Sequence, residues 1–394
     1  MGHPEASGDR RGLLLVRGGV LTPFSGLGGA FHDLRLALES QAMAPWDSVG
    51  TLEYDLGDSA SPWRRLTTRW FRHPRTVSKT VQRLHQEGSV DLVLVSDQEQ
   101  AHLVPTSSPV PVAVYVHDLF HLFPTTVRLS GSTVHVGEQH PSLVRRRDLR
   151  RVLKGLKRAD AFICSTNTIA EQCRIHFPST PLFQIPYALE VGRYAPPNVL
   201  PERPETLSSS TCHLLVVGSH DPRKRLSFLT DVLSGLPEDV AKDILVHHIG
   251  GDACPEGGPA ASKLAEQQGV HWHHVGDNIS DEILNVHRWY CEALLFPSGA
   301  EGFGYPPVES MAAGQPVLAS DRPAHNELMP PGTCLDPEDV NAWRQAIAEV
   351  HATWKGREGT PREPDKDLME HVSFLAPERF HQAMSEAWSS ICSS

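Results

Sequence analysis

The sequence predicts an α/β protein built from two domains, each a parallel sheet covered by helices. Three observations carry this prediction. The chain has 394 residues, enough for two domains of ordinary size. Short apolar runs with strand character alternate with helical patterns, which is the signature of βαβ units. The alternation breaks at Ala195-Pro-Pro-Asn-Val-Leu-Pro-Glu-Arg-Pro-Glu-Thr-Leu-Ser-Ser-Ser210, then restarts. That stretch is rich in Pro and Ser and lacks apolar periodicity, so it reads as a linker. The expected organisation is a first Rossmann-like domain over residues 1–195, a linker over 196–210, a second Rossmann-like domain over 211–375 and a terminal helix over 376–394. Ligand is expected in a cleft between the two domains, where binding sites are common.

In the first series, the strand Leu13 to Val16 is followed by the Gly-rich Ser25-Gly-Leu-Gly-Gly-Ala30, which opens a helix running to Glu39. Asp91 to Val95, Val110 to Val116 and Ala161 to Cys164 are the further strands. In the second series, Leu214 to Val217 is a strand, about Leu226 to Leu236 a helix, and Ile244 to Ile249 a strand. Ala293 to Phe296 and Pro316 to Ala319 are strands on either side of a Gly- and Pro-rich segment. The last stretch, from Pro377, places Phe380, Met384 and Trp388 on one helical face.

Composition narrows the function classes. Hydrophobic residues are 40% and charged residues 21%, as in ordinary globular proteins. No apolar run approaches the ~20 residues that span a bilayer. The run Leu13 to Val16 is too short for a signal-peptide core, so a cytoplasmic protein is expected. Seven cysteines without a Cys-x-x-Cys pair read as reduced thiols. Net charge is −11, unevenly spread: residues 1–200 hold 22 Lys and Arg against 18 Asp and Glu, and the remainder 14 against 29. The first half is thus basic relative to the second, and different partners for the two halves are expected.

The most informative segment is Phe296-Pro-Ser-Gly-Ala-Glu301-Gly-Phe-Gly-Tyr-Pro-Pro-Val-Glu309-Ser-Met-Ala-Ala-Gly-Gln-Pro-Val-Leu-Ala-Ser320. It reads as strand, Gly-rich loop, short helix, Gly314 stop, strand. Loops at the carboxyl ends of parallel strands are where open α/β sheets bind ligands. Glycines let backbone N–H groups approach a polyol or phosphate. The carboxylates Glu301 and Glu309 suit sugar hydroxyls, which donate hydrogen bonds, and Pro306 and Pro307 stiffen the loop.

This segment resembles the Glu-x7-Glu signature of retaining glycosyltransferases of the GT-B fold, sequence family 4. Members typically read Pro-Ser-x-x-Glu-Gly-Phe-Gly-x-Pro-x-x-Glu-x-Met-Ala-x-Gly-x-Pro-Val. The resemblance covers roughly residues 12–350 in motif order and is strongest from Leu214 onward. It implies two Rossmann-like domains facing a central cleft, with a terminal helix crossing back to the first domain. It implies transfer of a sugar from a nucleoside-diphosphate sugar, GDP-mannose or a UDP-sugar, to an acceptor hydroxyl. No essential metal and no cofactor are expected. By the same resemblance Glu309 binds the ribose, and Glu301 with the backbone of Gly302, Phe303 and Gly304 holds the sugar. The acceptor, whether glycan, lipid-linked or small molecule, is not specified.

Other motifs fit the same site. Gly218-Ser-His-Asp-Pro-Arg223-Lys224-Arg225 follows a strand and opens a helix, where two cations and a helix N-terminus would bind a diphosphate. The family shows a similar Arg-Lys pair. Some relatives place Arg directly after the glycine, where this chain has Ser219. Gly28 and Gly29 resemble the family's amino-terminal Gly-Gly loop; they do not form Gly-x-Gly-x-x-Gly, which argues against a dinucleotide fold. In Val114-Tyr-Val-His117-Asp118-Leu, resemblance places His117 beside the transferred sugar. Asp118 orients its imidazole or binds the acceptor.

Two basic stretches, residues 63–75 and 145–158, lie in the first domain. Peripheral contact with anionic membrane and a plain solvated face both remain open for them; nucleic acid is disfavoured by the acidic total. His247-His248 and His271-Trp-His273-His274 match no zinc spacing, and Asp365-Lys-Asp367 reads as surface. Two other classes compete. A non-catalytic GT-B relative would bind donor without releasing nucleoside diphosphate. An epimerase or dehydrogenase would carry a cofactor, against the missing fingerprint.

Overall fold

The computed structural model describes residues 10–393 apart from 22–25, 58, 130–131 and 256. Ser25, the start of the Gly-rich turn, thus lies outside the described residues. The chain divides into two compact units. The first comprises residues up to Pro124, Gly137–Ala188 and everything from Pro377; the second comprises Thr125–Val136 and Leu189–Ala376.

Along the first unit run β1 (Arg11–Gly19), α1 (Gly26–Glu39), β2 (Trp46–Tyr54), α2 (Pro62–Thr67), α3 (His73–Gln86), β3 (Leu92–Val95) and β4 (Val112–Val116). Next comes the hairpin β5 (Thr125–Leu129) and β6 (Ser132–Val136), which belongs to the second unit. The first unit resumes with α4 (Leu143–Leu156), β7 (Ala161–Cys164), α5 (Asn167–His176) and β8 (Leu182–Gln184). Its sheet has the order β2-β1-β3-β4-β7-β8 and every pairing is parallel. Central strands are covered on both faces, so they read as unbroken apolar runs: Leu13 to Val16 and Leu92 to Val95 are all buried. β2 was not among the expected strands. It is an edge strand whose residues after Trp46 are only half-buried, and its sequence lacks a continuous apolar run.

The second unit contains β9 (Cys212–Val217), α6 (Leu226–Ser234), α7 (Glu238–Ala241), β10 (Ile244–Ile249), α8 (Ala261–Gln267), β11 (Trp272–Gly276) and α9 (Asp281–Tyr290). It continues with β12 (Ala293–Phe296), α10 (Tyr305–Ala312), β13 (Val317–Ala319), α11 (Val340–Gly356) and α12 (Lys366–His371). Its sheet is parallel in the order β11-β10-β9-β12-β13. β9 and β12 are neighbours here although three βα units separate them in sequence, which brings the loops after both strands side by side. Trp343 and Ile347 of α11 seal the core against α6 and β9. Ser280, Asp339 and Asp365 cap α9, α11 and α12 with side-chain acceptors. The Asp-x-Asp of Asp365 and Asp367 is accordingly a helix start.

The last helix, α13 (Pro377–Ser393), packs in the first unit. Its face of Phe380, Met384, Trp388 and Ile391 is buried, and Trp388 meets Trp46 edge-on with ring centroids 5.7 Å apart. The Trp46 indole N–H donates to the Ser385 carbonyl at 3.3 Å, which satisfies the polar end of a fully buried ring. Two such side chains each remove ~2–3 kcal/mol worth of apolar surface from water.

Candidate active site

After β9 the chain turns sharply at Gly218, whose φ of 138° suits glycine. A short 3-10 turn, Pro222–Lys224, follows, and the Asp221 side chain caps it by accepting from Arg223 N–H at 2.9 Å. Arg225 then adopts left-handed geometry and leads into α6. Of the three consecutive cations, Arg225 serves the fold. It is buried, donates to the Pro297 and Pro337 carbonyls at 3.3 and 2.7 Å, and stacks on Phe228. Burial lowers its pKa to about 10.

Arg223 and Lys224 point instead to the loop after β12. Arg223 Nη1 donates to Glu301 Oε2 at 2.6 Å and to the Ala300 carbonyl at 3.1 Å. Lys224 Nζ donates to Glu301 Oε1 at 2.6 Å, and its ammonium sits 4.9 Å from the Phe296 ring centre. Ser298 Oγ also donates to Glu301 Oε1 at 2.6 Å. Burial alone would raise the pKa of this carboxyl. The ammonium of Lys224 and the guanidinium of Arg223 outweigh it and hold Glu301 at about 2. Burial in turn lowers the pKa of Lys224, against the pull of Glu301. Two cations share the one buried carboxylate, and the half-exposed Asp221 stands 3.7 Å from Arg223 Nε, so the cations are held in place by carboxylates on both sides.

Glu301 is fixed further by its backbone. Its N–H donates to the Pro323 carbonyl, and Ala324 N–H donates back to the Glu301 carbonyl. The chain then passes Gly302 and the buried Phe303 to Gly304, whose φ is 110°. A Cβ at Gly304 would lie 2.5 Å from Cβ of the fully buried His325. α10 begins at the next residue and carries Pro306 and Pro307 in its first turn. Glu309, one turn on, takes a buried guanidinium: Arg288 Nη2 donates to its Oε2, and Tyr194 hydroxyl stands 3.4 Å from Oε1. Arg288 is held in turn by the Asn285 side chain at 2.8 Å. The second unit thus brings Arg223 and Lys224 to Glu301, with Gly218 beside Lys224 and Gly302, Phe303 and Gly304 next along the loop; Glu309 follows on α10 with its own partners, Arg288 and Tyr194.

Residues 203–359, nearly all of the second unit's α/β core, match the model of the glycosyl transferases group 1. The match covers less than half of the chain and lies within the second unit. Among curated relatives, the O-antigen chain mannosyltransferase RfbU of Salmonella typhimurium is 42% identical over 59 residues, 15% of this chain and 17% of its own. The MMP alpha-(1->4)-mannosyltransferase of Mycolicibacterium hassiacum is 36% identical over 88 residues, 21% of each chain. These matches therefore span about a fifth of the relatives' length. Among solved structures, sucrose-phosphate synthase from Thermosynechococcus elongatus aligns with TM-score 0.69 at 19% identity, over 97% of this chain and 99% of its own. Anabaena Alr3699/HepE in complex with UDP and glucose aligns with TM-score 0.66 at 16% identity, over 97% and 100%. The fold is GT-B.

In the second unit, sequence reasoning missed Ser298, Arg288, Tyr194 and His325. Ser298 lay in the quoted motif but gave no sign of bonding Glu301. Arg288 and Tyr194 are distant in sequence from Glu309 and carry no spacing signal. His325 sits edge-on to Phe296, bonds the Ser320 carbonyl at 2.9 Å, and burial lowers its pKa to about 4. The hairpin β5–β6, with no local signal at all, lies with β6 against the Pro222–Lys224 turn.

The remaining expected site residues belong to the first unit. Gly28 and Gly29 lie in the opening turn of α1, Gly28 buried. His117, just after β4, packs on both Tyr115 and Tyr187, with ring centroids 4.9 and 5.5 Å away and the two tyrosine rings 5.2 Å from each other. Its Nε2 bonds the Ser96 carbonyl at 2.8 Å and its N–H donates to Gln98 Oε1 at 2.9 Å. A carbonyl only accepts, so the ring carries its proton on Nε2. Burial lowers its pKa to about 4, so it is neutral at pH 7. Asp118 Oδ1 accepts from Phe120 N–H at 3.1 Å.

His213, His247, His248 and His287 of the second unit are buried core residues, whereas His271 and His273 are exposed. His213 donates from Nε2 to the Ser208 carbonyl, and its Nδ1 accepts from His247 Nε2 at 2.9 Å. No group of three or more His, Cys, Asp or Glu among the described residues is arranged to hold a metal ion. No helix among them is long and apolar enough to cross a membrane.

Proposed function

We propose that the chain transfers a sugar from a nucleoside-diphosphate sugar to an acceptor hydroxyl, with retention at the anomeric carbon. The observation that carries this is the Arg223–Lys224–Glu301 cluster beside the Gly302–Gly304 loop. A leaving diphosphate needs charge neutralisation in the transition state, and fixed cations in a partly desolvated place supply it without reorganisation. Arg223 and Lys224 do this in place of a metal ion, so catalysis is metal-independent and needs no cofactor. Glu301 keeps one lone-pair direction on Oε2 for a sugar hydroxyl after serving the two cations and Ser298. Glu309, anchored by Arg288, accepts from the ribose hydroxyls.

In the reaction the acceptor oxygen bonds to the anomeric carbon from the face that the diphosphate leaves. The anomeric C–O bond to phosphate breaks, and the acceptor proton passes to the departing phosphate oxygen. Neither carboxylate is assigned a proton transfer, unlike the paired acids of glycoside hydrolases. In the first unit, His117 accepts from a hydroxyl of the transferred sugar through its unprotonated Nδ1, and Asp118 binds the acceptor. The mannosyltransferase names of the curated relatives favour GDP-mannose as donor, and the UDP complexes among the structural neighbours keep a UDP-sugar in view. A cytoplasmic enzyme acting where nucleotide sugars are available fits this reading.

The test combines Arg223→Ala with Lys224→Ala. Nucleoside diphosphate release from GDP-mannose or UDP-sugars should fall by at least ~1000-fold, as when preorganised charge stabilisation is removed. Unchanged turnover overturns the diphosphate assignment. A thermal-shift series with GDP, UDP, ADP and dTDP identifies the base, since the bound nucleotide stabilises the native state by mass action.

A further inference from the structure

In the first unit, α2, the π-helical turn Thr68–Arg72 and α3 run on as one helical stretch over residues 62–86. That stretch carries seven Lys and Arg and no Asp or Glu. Residues 143–157, which hold α4, carry seven more against the single acid Asp148. Asp148 is buried and taken up by the Arg69 guanidinium and the Trp70 indole, each at 2.9 Å, so it offers no negative charge to the surface. This concentration of cations stands on a chain of net charge −11.

The two stretches form adjoining faces. Arg151 and Arg147 of α4 lie over the Trp70 ring at 5.1 and 5.4 Å, and Arg151 Nη1 donates to the Trp70 carbonyl at 3.0 Å. Arg151 also covers Phe71. One turn before Arg147 on the same side of α4 stands Leu143, 81% exposed. On the other stretch Trp63 is 74% exposed, and with Phe71, Arg64, Arg72 and Arg75 it lines an open groove of about 470 Å³. Arg72, closing the π-helical turn, and Arg75 and Lys79 of α3 follow at helical spacing along one exposed stripe, and Arg83 beyond them pairs with Glu87. Four of the nine exposed large apolar side chains among the described residues, Trp63, Phe71, Leu143 and Val144, fall on these two stretches.

We propose that this face of the first unit docks on an anionic lipid bilayer. A solvated helix face explains the cations but not four bulky apolar groups among them. An indole and leucine in water, ringed by arginines, is what an interface of headgroups and acyl chains accommodates: apolar bodies enter the boundary and guanidinium groups meet phosphates. The high negative charge elsewhere on the chain orients this face toward a negative surface and keeps the rest away. The inference is independent of the donor site in the second unit.

The test is co-sedimentation of the full chain with vesicles of phosphatidylcholine alone or with phosphatidylglycerol, at about 0.15 M ionic strength. Binding is expected on the anionic vesicles and little on the neutral ones. Each surface cation near an anionic leaflet is worth about fivefold in partitioning. The triple variant Arg64→Gln, Arg72→Gln, Arg75→Gln should therefore bind about 100-fold more weakly. Trp63→Ala alone, a substitution at an exposed position that leaves the fold intact, should weaken binding about tenfold and remove a tryptophan blue shift. A control triple, Lys242→Gln, Lys263→Gln, Lys355→Gln in the second unit, should bind as the parent does, and melting temperature and nucleotide binding should be unchanged throughout. Equal binding to neutral vesicles overturns the proposal. So does an equal loss in the control triple, or duplex DNA binding of the same strength that the first triple also loses, which would mark a general polyanion surface.

Discussion

Replacing Glu301 by Gln probes the charge cluster with little change of shape. The parent carboxyl lies near pKa 2, against an ordinary value of 4.5. Each unit is worth about 1.4 kcal/mol, so the charged form contributes about 3 kcal/mol to folding at pH 7. Glu301 is 8% exposed, so solvent screening removes little of this. The sign follows from a depressed carboxyl: its contribution is complete above pH 4.5 and disappears as pH falls through 2. The Gln variant should lose about 3 kcal/mol in urea unfolding at pH 7, and its deficit should shrink below pH 4.5. Lowering the apparent melting temperature by roughly 6–12 °C corresponds to this for a unit of this size. Nucleoside diphosphate should still bind at least as tightly by calorimetry, because the substitution removes one negative charge from beside Arg223 and Lys224. A loss under about 0.5 kcal/mol, or a deficit constant from pH 7 to pH 3, refutes the assignment of Glu301 as the counter-ion of both cations.

Arg288→Met leaves Glu309 without its guanidinium. Because Glu309 keeps 18% side-chain exposure, the cost should be about 2 kcal/mol, below the ~3–5 of a fully buried pair. Nucleotide affinity should fall with it, and equal affinity in a titration would detach Glu309 from binding. Gly304→Ala forces a Cβ into His325 at a left-handed φ, and should cost ~2 kcal/mol or more in thermal unfolding together with most turnover. Burial lowers the pKa of His247 to about 3 and of His213 to about 4. The unfolded chain takes up their protons from pH 6.5 downward, so stability should decline as pH drops from 6.5 toward 3–4. His247→Phe should flatten that decline in denaturation curves taken across the range.

Much of the fold was legible because most strands are buried on both faces and therefore announce themselves as apolar runs. Ala161–Cys164, Ile244–Ile249 and Ala293–Phe296 have the expected bounds. The edge strand β2 escaped because one-sided burial gives Trp46–Tyr54 a mixed pattern, and β5–β6 escaped because Thr, Arg and His outnumber its apolar residues. At the site, a contiguous motif supplied Glu301 to Glu309, and the strand–turn–helix context supplied Arg223 and Lys224. What bonds each carboxylate was not legible. The pairing of β9 with β12 brings Lys224 to Glu301 across more than seventy residues, and the placing of α9 brings Arg288 to Glu309. Such contacts depend on strand order, which no local spacing encodes.

The loop itself distributes the work of holding an anion. A strand, a Gly-rich loop and a helix suggest phosphate bound at the helix N-terminus, through the first N–H groups and the dipole. Here the first turn of α10 is Tyr305-Pro306-Pro307, and two of those three residues have no N–H to give. The helix end is therefore a rigid wall with few donors, and the backbone N–H groups of Gly302 to Gly304 suit neutral hydroxyls better than a diphosphate. Negative charge is left to Arg223 and Lys224, which Glu301 holds in place at 2.6 Å each. It follows that Pro306→Ala, which restores a donor, should change diphosphate affinity little, while the Arg223 and Lys224 substitutions remove most of it. A large gain in affinity from Pro306→Ala would return the phosphate to the helix end.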